Sequence, residues 1–278
     1  MKVMKPFATL LFSSVVLTTL NAGTMSTFGC GITKNAYLKA LNKAFSAKSG
    51  ASIKINAKGG AGRAIKEVGK GSAHIGSGCR PTLGLKGEEK TTNHHVAWGA
   101  LVFIVHPDNP VSSISIEQAK KVLQGTSTKW SDLGGSGEEI KLYVRKGKSS
   151  GVGYSARKII FSDEKTTFSK SAKRLKSSGP IRIAVTRDKN AFAIDDISSS
   201  KKKKGIKILK LNGVEPTKEN VASGKYSLYR PLYIYTQGTP TGVSKEFFDF
   251  AFSKAGQDVI SKAGTVNLEE GKNLKISY

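Results

Sequence analysis

Short strand patterns alternate with helix patterns along this chain, and loops rich in Gly and Ser join them. Residues 52–56 alternate apolar and polar side chains as a half-buried strand does, and the loop 59–62 leads into a helix predicted near 63–68. Residues 140–145 and the loop 147–151 repeat the arrangement before another helix. Because strands and helices alternate, the pattern predicts an α/β fold with ligands at the carboxyl ends of its strands.

Other segments extend this pattern. The longest apolar run after residue 22, at 96–105, predicts a strand buried on both faces, as in a parallel sheet. Ser115 is predicted to cap a helix that runs through Leu123, with Glu117 placed to complement the helix dipole. Helices are also predicted near 34–47 and 244–255, and strands at 74–77, 181–185, 206–211 and 232–235.

The first 22 residues have the pattern of an export signal. Lys2 and Lys5 precede an apolar stretch that contains no acid, and small residues follow near Ala22. A charged start, a short apolar stretch and small residues at the cut are typical of a secretory signal, and the stretch is short for a membrane span. The alternative is an uncleaved amphipathic helix, but the apolar residues show no helical period. We therefore expect a signal peptide at 1–22 and export to the periplasm.

The chain is strongly basic, with a formal net charge of +25 from 45 Lys and Arg against 20 Asp and Glu. A field of this sign concentrates anions near the surface and favours contact with polyanions such as acidic lipids, glycans or nucleic acid. The alternative is a solvated lysine-rich surface, which the even spread of the lysines favours. Residues 201–204 are four lysines after three serines and predict an exposed loop. No nucleic-acid-binding motif lies near them, so we expect no specific nucleic-acid partner.

Three strand-to-helix loops, at residues 29–33, 59–62 and 149–151, have the composition of anion-binding sites. Helix N-termini present unpaired backbone N–H groups with a partial positive charge, and Gly lets an oxyanion approach the backbone. Gly-rich turns of this kind are also common without a ligand. Arg145 precedes the third loop, and its guanidinium suits a tetrahedral oxyanion, although a surface ion pair is an equal alternative.

The remaining polar candidates favour binding over catalysis. Asp195 and Asp196 are adjacent, but no nucleophile, base and orienting group stand at a recognisable spacing, so we expect no enzyme. His94 and His95 precede the long apolar run, where we expect both to be exposed, and no spacing typical of metal ligands surrounds them. We therefore expect neither a metal site nor a cofactor.

Several motifs, in order along nearly the whole chain after residue 22, resemble those of the phosphate-binding component of Pst-type ABC transporters. They are Gly60-Ala61-Gly62-Arg63, Ile75-Gly76-Ser77-Gly78-Cys79-Arg80-Pro81, His106-Pro107-Asp108-Asn109-Pro110, Lys129-Trp130-Ser131-Asp132-Leu133, Arg145 with Ser150-Gly151, and Tyr229-Arg230-Pro231-Leu232-Tyr233. The resemblance implies a two-lobed α/β periplasmic-binding-protein fold. Each lobe is a mostly parallel sheet flanked by helices, and crossing strands join the two. It assigns residues 23–105 and 216–278 to lobe 1 and residues 106–215 to lobe 2.

The same resemblance implies a function. A member of this family captures phosphate, or a related small oxyanion, between its lobes and delivers it to an ABC permease in the inner membrane. We expect this chain to do so as a monomer. The positions that the resemblance assigns to ligand binding are Cys30, Thr33, Ala61, Gly62, Cys79, Arg145, Ser149, Ser150, Gly151 and Val152.

Four of these positions depart from the family pattern. Ala61 stands where the family has Ser, and Val152 stands where it has Thr. Cys79 replaces a Ser or Asp, and Cys30 replaces a common Ser. Each missing charge-assisted hydrogen bond weakens oxyanion binding by about 1.5–3 kcal/mol. The affinity for phosphate therefore depends on the groups that remain.

Cys30 and Cys79 are the two cysteines of the chain, and the resemblance places both at the same cleft. An oxidising compartment favours a disulfide between them. The alternative is a dithiol site for a thiophilic ligand, such as a trivalent arsenic species or a soft metal. A further alternative is a secreted protein without a transport role that binds polyanions through its basic surface. Cys30 lacks the usual Leu three residues upstream, so we expect no lipid anchor there.

Overall fold

The computed structural model describes residues 23–276, which form a nine-stranded mixed β-sheet, a separate two-stranded sheet and the helices packed around them. The strands are β1 (Thr24–Gly29), β2 (Ser52–Asn56), β3 (Ile75–Gly78), β4 (Thr92–Val105), β5 (Ser113–Ile114), β6 (Lys141–Arg145), β7 (Lys173–Leu175), β8 (Ala191–Asp196), β9 (Lys207–Ile208), β10 (Lys210–Leu211) and β11 (Tyr229–Thr236). The predicted signal peptide lies outside the described residues.

The helices alternate with these strands, as the sequence pattern predicts. They are α1 (Gly31–Thr33), α2 (Lys39–Ser49), α3 (Gly60–Gly69), α4 (Ile116–Gln124), α5 (Gly151–Phe161), α6 (Ser178–Val185), α7 (Ile197–Ser200), α8 (Lys218–Ala222), α9 (Gly242–Phe252) and α10 (Lys254–Lys262). A π-helical turn, Lys34–Leu38, makes α1 and α2 one continuous helix. No helix between residues 23 and 276 combines the length and apolar composition needed to cross a membrane.

Strand β4 is the element shared by the two halves of the sheet. Its residues 92–100 pair with β11, which leads to β3, β1 and β2, and we call this the first half-sheet. Its residues 101–105 pair with β8, which leads to β6 and β7, and we call this the second half-sheet. The crossing strand expected from the resemblance is therefore present. The lobe boundaries at 105/106 and 215/216 stay a prediction.

The sheet is mixed because β11 runs antiparallel to β3 and β4, and β8 runs antiparallel to β4. The pairs β1–β2, β1–β3, β6–β7 and β6–β8 are parallel. Strand β4 is antiparallel to β11, β8 and β9, so the interpretation of its apolar run as a parallel strand was wrong. Burial of the run on both faces is confirmed, since residues 96–105 are all buried. A buried strand in a mixed sheet is as apolar as one in a parallel sheet, so composition does not separate the two.

Two other predictions require correction. The predicted strand at 181–185 is part of helix α6, in which Ile181 and Val185 are buried one turn apart while Ile183 is 45% exposed. The apolar residues at every second position imitated a strand, whereas the i, i+4 pair is the one that packs. His94 and His95 lie within β4 rather than before it, and both are half-buried. The cap at Ser115 is confirmed, because its side chain and that of Gln118 form a capping box.

A buried ion pair lies beside the point where β4 passes from one half-sheet to the other. Arg230 of β11 pairs with Gly99 of β4, and Asp196 of β8 pairs with Leu101. The Arg230 Nη2 atom donates to the Asp196 Oδ2 atom over 2.7 Å, and both side chains are fully buried. The contact therefore joins the last strand of the first half-sheet to the second half-sheet across β4.

Replacing Arg230 should destabilise the fold because Asp196 would stay buried without its cation. We expect Arg230→Met to lower the free energy of unfolding by about 3–5 kcal/mol, measured by urea denaturation. The matched control is Lys245→Met, which removes the exposed pair between Lys245 and Asp249. It should change the free energy by less than about 1 kcal/mol. Equal losses in the two variants would contradict a special role for the buried pair.

Candidate functional site

A cavity of about 210 Å³ lies between the two half-sheets, at the carboxyl ends of β1, β3 and β6. Its lining residues are Cys30, Ile32, Gly59, Gly60, Ala61, Gly62, Cys79, Arg145, Lys146, Ser149, Ser150, Gly151, Val152 and Lys176. The structure therefore brings together every predicted binding position except Thr33, which lies behind Cys30. Of the other lining residues, Ile32, Gly59 and Gly60 belong to loops predicted to bind an anion, whereas sequence reasoning missed Lys146 and Lys176.

Helices α3 and α5 begin at this cavity. The residue before α3 is Gly59, and Gly59 and Gly60 have φ values of +95° and +75°, which glycine adopts without strain. A side chain at Gly151 would place its Cβ atom 2.4 Å from the Cys79 sulfur. Only glycine therefore lets the start of α5 approach Cys79 this closely. Both N-termini direct backbone N–H groups and a partial positive charge towards the cavity.

Ser150 precedes α5 but does not cap it. Its side chain accepts no hydrogen bond from the first turn of the helix. The Oγ atom is buried, and it has no hydrogen-bond partner among the described residues. A buried hydroxyl without a protein partner is costly, so Ser150 Oγ is a candidate contact for a ligand in this cavity.

Arg145 is held at the end of β6 by the chain around β7 and α6. Its Nη2 atom donates to the Lys176 carbonyl over 2.9 Å, and its Nη1 atom donates to the Ser178 hydroxyl over 3.4 Å. The buried Nε atom has no partner in residues 23–276, where Arg145 forms no ion pair. Burial lowers the pKa of the guanidinium, since desolvation disfavours its charge. The structure thus favours the anion-binding interpretation of Arg145 over the surface ion pair.

Arg80 positions the loop that carries Ser149 and Ser150. Its Nη2 atom lies 2.5 Å from Glu88 Oε1 in a buried ion pair, and its Nε atom donates to the Ser149 carbonyl over 2.8 Å. Because Glu88 neutralises the charge of Arg80, the role of Arg80 is to join a loop of the first half-sheet to a loop of the second. In the sequence, Arg80 was recognised only as part of a motif, and no sequence pattern identified Glu88 as its partner.

Cys30 and Cys79 are free thiols whose sulfur atoms are 3.9 Å apart. The Cys30 sulfur also accepts from the Thr33 backbone N–H over 3.4 Å. The Thr33 hydroxyl meets the hydroxyl of Ser77 at 2.9 Å, so Thr33 supports Cys30 from behind. The sulfurs are in contact without a covalent bond, and the disulfide expected from the compartment stays a prediction.

The two thiols have different pKa values. The hydrogen bond from Cys79 and those from Thr33 lower the pKa of the Cys30 thiol from 9.0 to about 6, against the opposing effect of burial. The pKa of Cys79 is raised, because it gives the proton that stabilises a Cys30 thiolate and is itself buried. The hydrogen bond between the two thiols therefore favours ionisation of Cys30 over ionisation of Cys79.

The acidic and histidine pairs have structural environments. Asp195 receives a 2.6 Å bond from Arg182, and Asp196 is bound to Arg230. Burial lowers the pKa of His95 to about 4, and the pKa of His94 is lowered for the same reason, so both are neutral at pH 7. No group of three or more His, Cys, Asp or Glu side chains suited to a metal occurs in the described part of the chain.

A second cavity, of about 320 Å³, borders the middle of β4 but contains none of the predicted binding positions. Its lining includes Trp98, Ile197, Val221, Val266 and the exposed Lys201 and Lys202. None of its lining residues, as the structure describes them, has a buried polar atom that lacks a hydrogen-bond partner. The smaller cavity is therefore the candidate binding site.

The fold and this cleft define a two-lobed α/β binding protein. A family model of the PBP superfamily domain matches residues 19–255. The chain belongs to this superfamily, and the fold expected from the resemblance is confirmed.

Named relatives are phosphate-binding proteins. The phosphate-binding protein PstS of Bacillus subtilis is 26% identical over 269 residues, which cover 90% of this chain and 83% of that protein. The PstS of Borreliella burgdorferi is 29% identical over 181 residues, which cover 62% of this chain and 64% of that protein. The match therefore spans less than two thirds of that relative. A putative phosphate ABC transporter substrate-binding protein from Clostridium perfringens, solved with bound phosphate, shares 26% identity and a TM-score of 0.78 over 88% of this chain and 99% of that one.

The lowered pKa of Cys30 can be tested directly. As the pH of the reduced protein rises through about 6, we expect the ultraviolet absorbance of one thiolate to appear, because Cys30 ionises first. In Cys30→Ser, the remaining buried thiol should stay protonated to well above pH 8.5, about the value of a free cysteine. A wild-type protein that shows no thiolate below that pH would contradict the proposed sharing of one proton.

Proposed function

We propose that this chain is an exported solute-binding protein that captures phosphate, or a related small oxyanion, and delivers it to an ABC permease in the inner membrane. The observation that carries the proposal is a pair of buried donors that have no partner among residues 23–276, Ser150 Oγ and Arg145 Nε, in one cavity with two helix N-termini. These groups supply the hydrogen bonds and positive charge that a desolvated oxyanion requires.

The architecture supports capture by closure of two lobes. We assign the first half-sheet and its helices to lobe 1, and the second half-sheet and its helices to lobe 2. The cavity takes residues from both, and Arg80 bonds across it to Ser149. A ligand that contacts both lobes stabilises the closed form by its differential affinity for that form. The names of the relatives support phosphate as the first ligand to test.

Export to the periplasm is the expected location for such a receptor. The pattern at 1–22 supports it. The proposal involves binding and release, without a catalytic step, a cofactor or a metal.

Removing the donors should weaken phosphate binding. We expect Arg145→Gln and Ser150→Ala each to raise the Kd for phosphate, measured by calorimetry, by about 10-fold to 100-fold, since each loses a charge-assisted hydrogen bond. The matched controls are Arg187→Gln and Ser131→Ala, which change exposed residues outside the cavity. If wild-type protein binds no phosphate at millimolar concentration, the phosphate proposal fails. If all four variants bind like wild type, the cavity is not the site.

Restoring hydroxyls should strengthen phosphate binding. Ala61 and Val152 line the cavity and are buried, so the exchanges Ala61→Ser and Val152→Thr add donors with little change in volume. We expect the double variant to lower the Kd for phosphate about tenfold or more. Ala222→Ser and Val243→Thr make the same exchanges away from the cavity and should have no effect. An unchanged Kd in the double variant would show that these positions do not reach the ligand.

A further inference from the structure

The cavity contains two sulfur atoms that the phosphate proposal does not use. Cys30 and Cys79 are only 5% and 2% exposed, yet both line the cavity, and their sulfurs are 3.9 Å apart. Buried cysteines usually pack as small apolar groups. This pair instead meets at the carboxyl ends of β1 and β3, beside the Ser150 hydroxyl and the Arg145 guanidinium.

We propose that Cys30 and Cys79 form a dithiol site that binds trivalent arsenic in the form of arsenous acid. The inference rests on the proposed capture of small ligands in this cleft and adds a second ligand class for it. Soft thiolate ligands select soft centres. The surrounding groups then decide which soft centre is suitable.

The charge of the cavity favours an oxyacid over a bare metal cation. Arg145, Lys146 and Lys176 all line it, and no Asp or Glu does. A dication would lie among positive charges with two sulfur ligands. Arsenous acid is neutral and carries oxygens, so it meets the positive groups without repulsion.

The number of donors also fits the bound product. Two As–S bonds replace two of the three hydroxyl groups of arsenous acid, which leaves one oxygen on arsenic. The cavity offers two sulfurs, and it offers the hydroxyl of Ser150 and the Nε atom of Arg145, which have no partner in residues 23–276. Ala61 and Val152 give no hydroxyl for further oxygens. The two polar donors are therefore sufficient for the single oxygen that remains on the bound arsenic.

The reaction needs no redox partner. Two As–O bonds break and two As–S bonds form, while arsenic remains trivalent. The two hydroxides leave as two waters. One takes the proton of the Cys79 thiol. The other takes the proton of the Cys30 thiol or, where Cys30 is already ionised, a proton from solvent. The Cys30 thiolate is the better nucleophile of the two and attacks first.

The test is titration of the reduced full-length protein with arsenous acid, using a phosphine reductant because dithiol reductants compete for arsenic. We expect one arsenic per chain by native mass spectrometry, with loss of two waters, and two sulfur neighbours and one oxygen neighbour by X-ray absorption at arsenic. Cys30→Ser and Cys79→Ser should each weaken binding by on the order of 100-fold. If Cys79→Ser misfolds, Cys79→Ala replaces it in the test. Thermal unfolding shows whether each variant is folded. Protein oxidised to the Cys30–Cys79 disulfide should bind no arsenic.

Parallel titration with phosphate separates the two proposals. Binding of phosphate without arsenous acid would overturn the dithiol inference alone. Binding of arsenous acid without phosphate would overturn the phosphate proposal and leave the dithiol site standing. Binding of zinc in preference to arsenous acid, or arsenic binding that survives both cysteine substitutions, would overturn the dithiol inference.

Discussion

The buried pair of Arg230 and Asp196 is the interaction on which the arrangement of the cleft depends. Besides Asp196, the Arg230 Nη1 atom donates to the Cys79 carbonyl, the Gly151 carbonyl and the Ser155 hydroxyl, over 3.2–3.4 Å. One guanidinium therefore fixes the end of β3, the start of α5 and the crossing of β4. Buried ion pairs contribute little net stability compared with apolar residues, so the importance of this pair lies in the groups that Arg230 positions.

The cleft is built from groups with two different tasks. Arg80 and Arg230 are fully paired with carboxylates, so they hold loops and carry no charge to spare. Arg145 has no carboxylate partner among residues 23–276, and its charge remains available to a ligand. The distinction follows from position. The first two arginines lie in the protein interior, where a lone cation is too costly, while Arg145 lies at the cavity wall.

Most of the cavity lining was predicted, in part from loops that follow strand ends and, for Cys79 and Val152, from the family resemblance. The loops around Cys30, Ala61, Cys79 and Ser150 follow β1, β2, β3 and β6, and the carboxyl ends of neighbouring strands meet. Long-range partners were not predictable, since Glu88 and Asp196 give no local pattern that points to Arg80 and Arg230. The helix at 178–185 was missed because the spacing of its apolar residues resembles a strand. Which of those residues are buried depends on the elements that pack against the helix.

The lysines at the edge of the cavity have a kinetic consequence. Lys146 and Lys176 are exposed, so solvent and salt screen their charges and they contribute little to the lifetime of a complex. Their field, and that of the basic surface, extends into solution and guides anions towards the opening. For the proposed oxyanion complex, the rate of encounter should therefore fall as salt is added, while the rate of dissociation should change little, because the proposed contacts to Ser150 and Arg145 are buried.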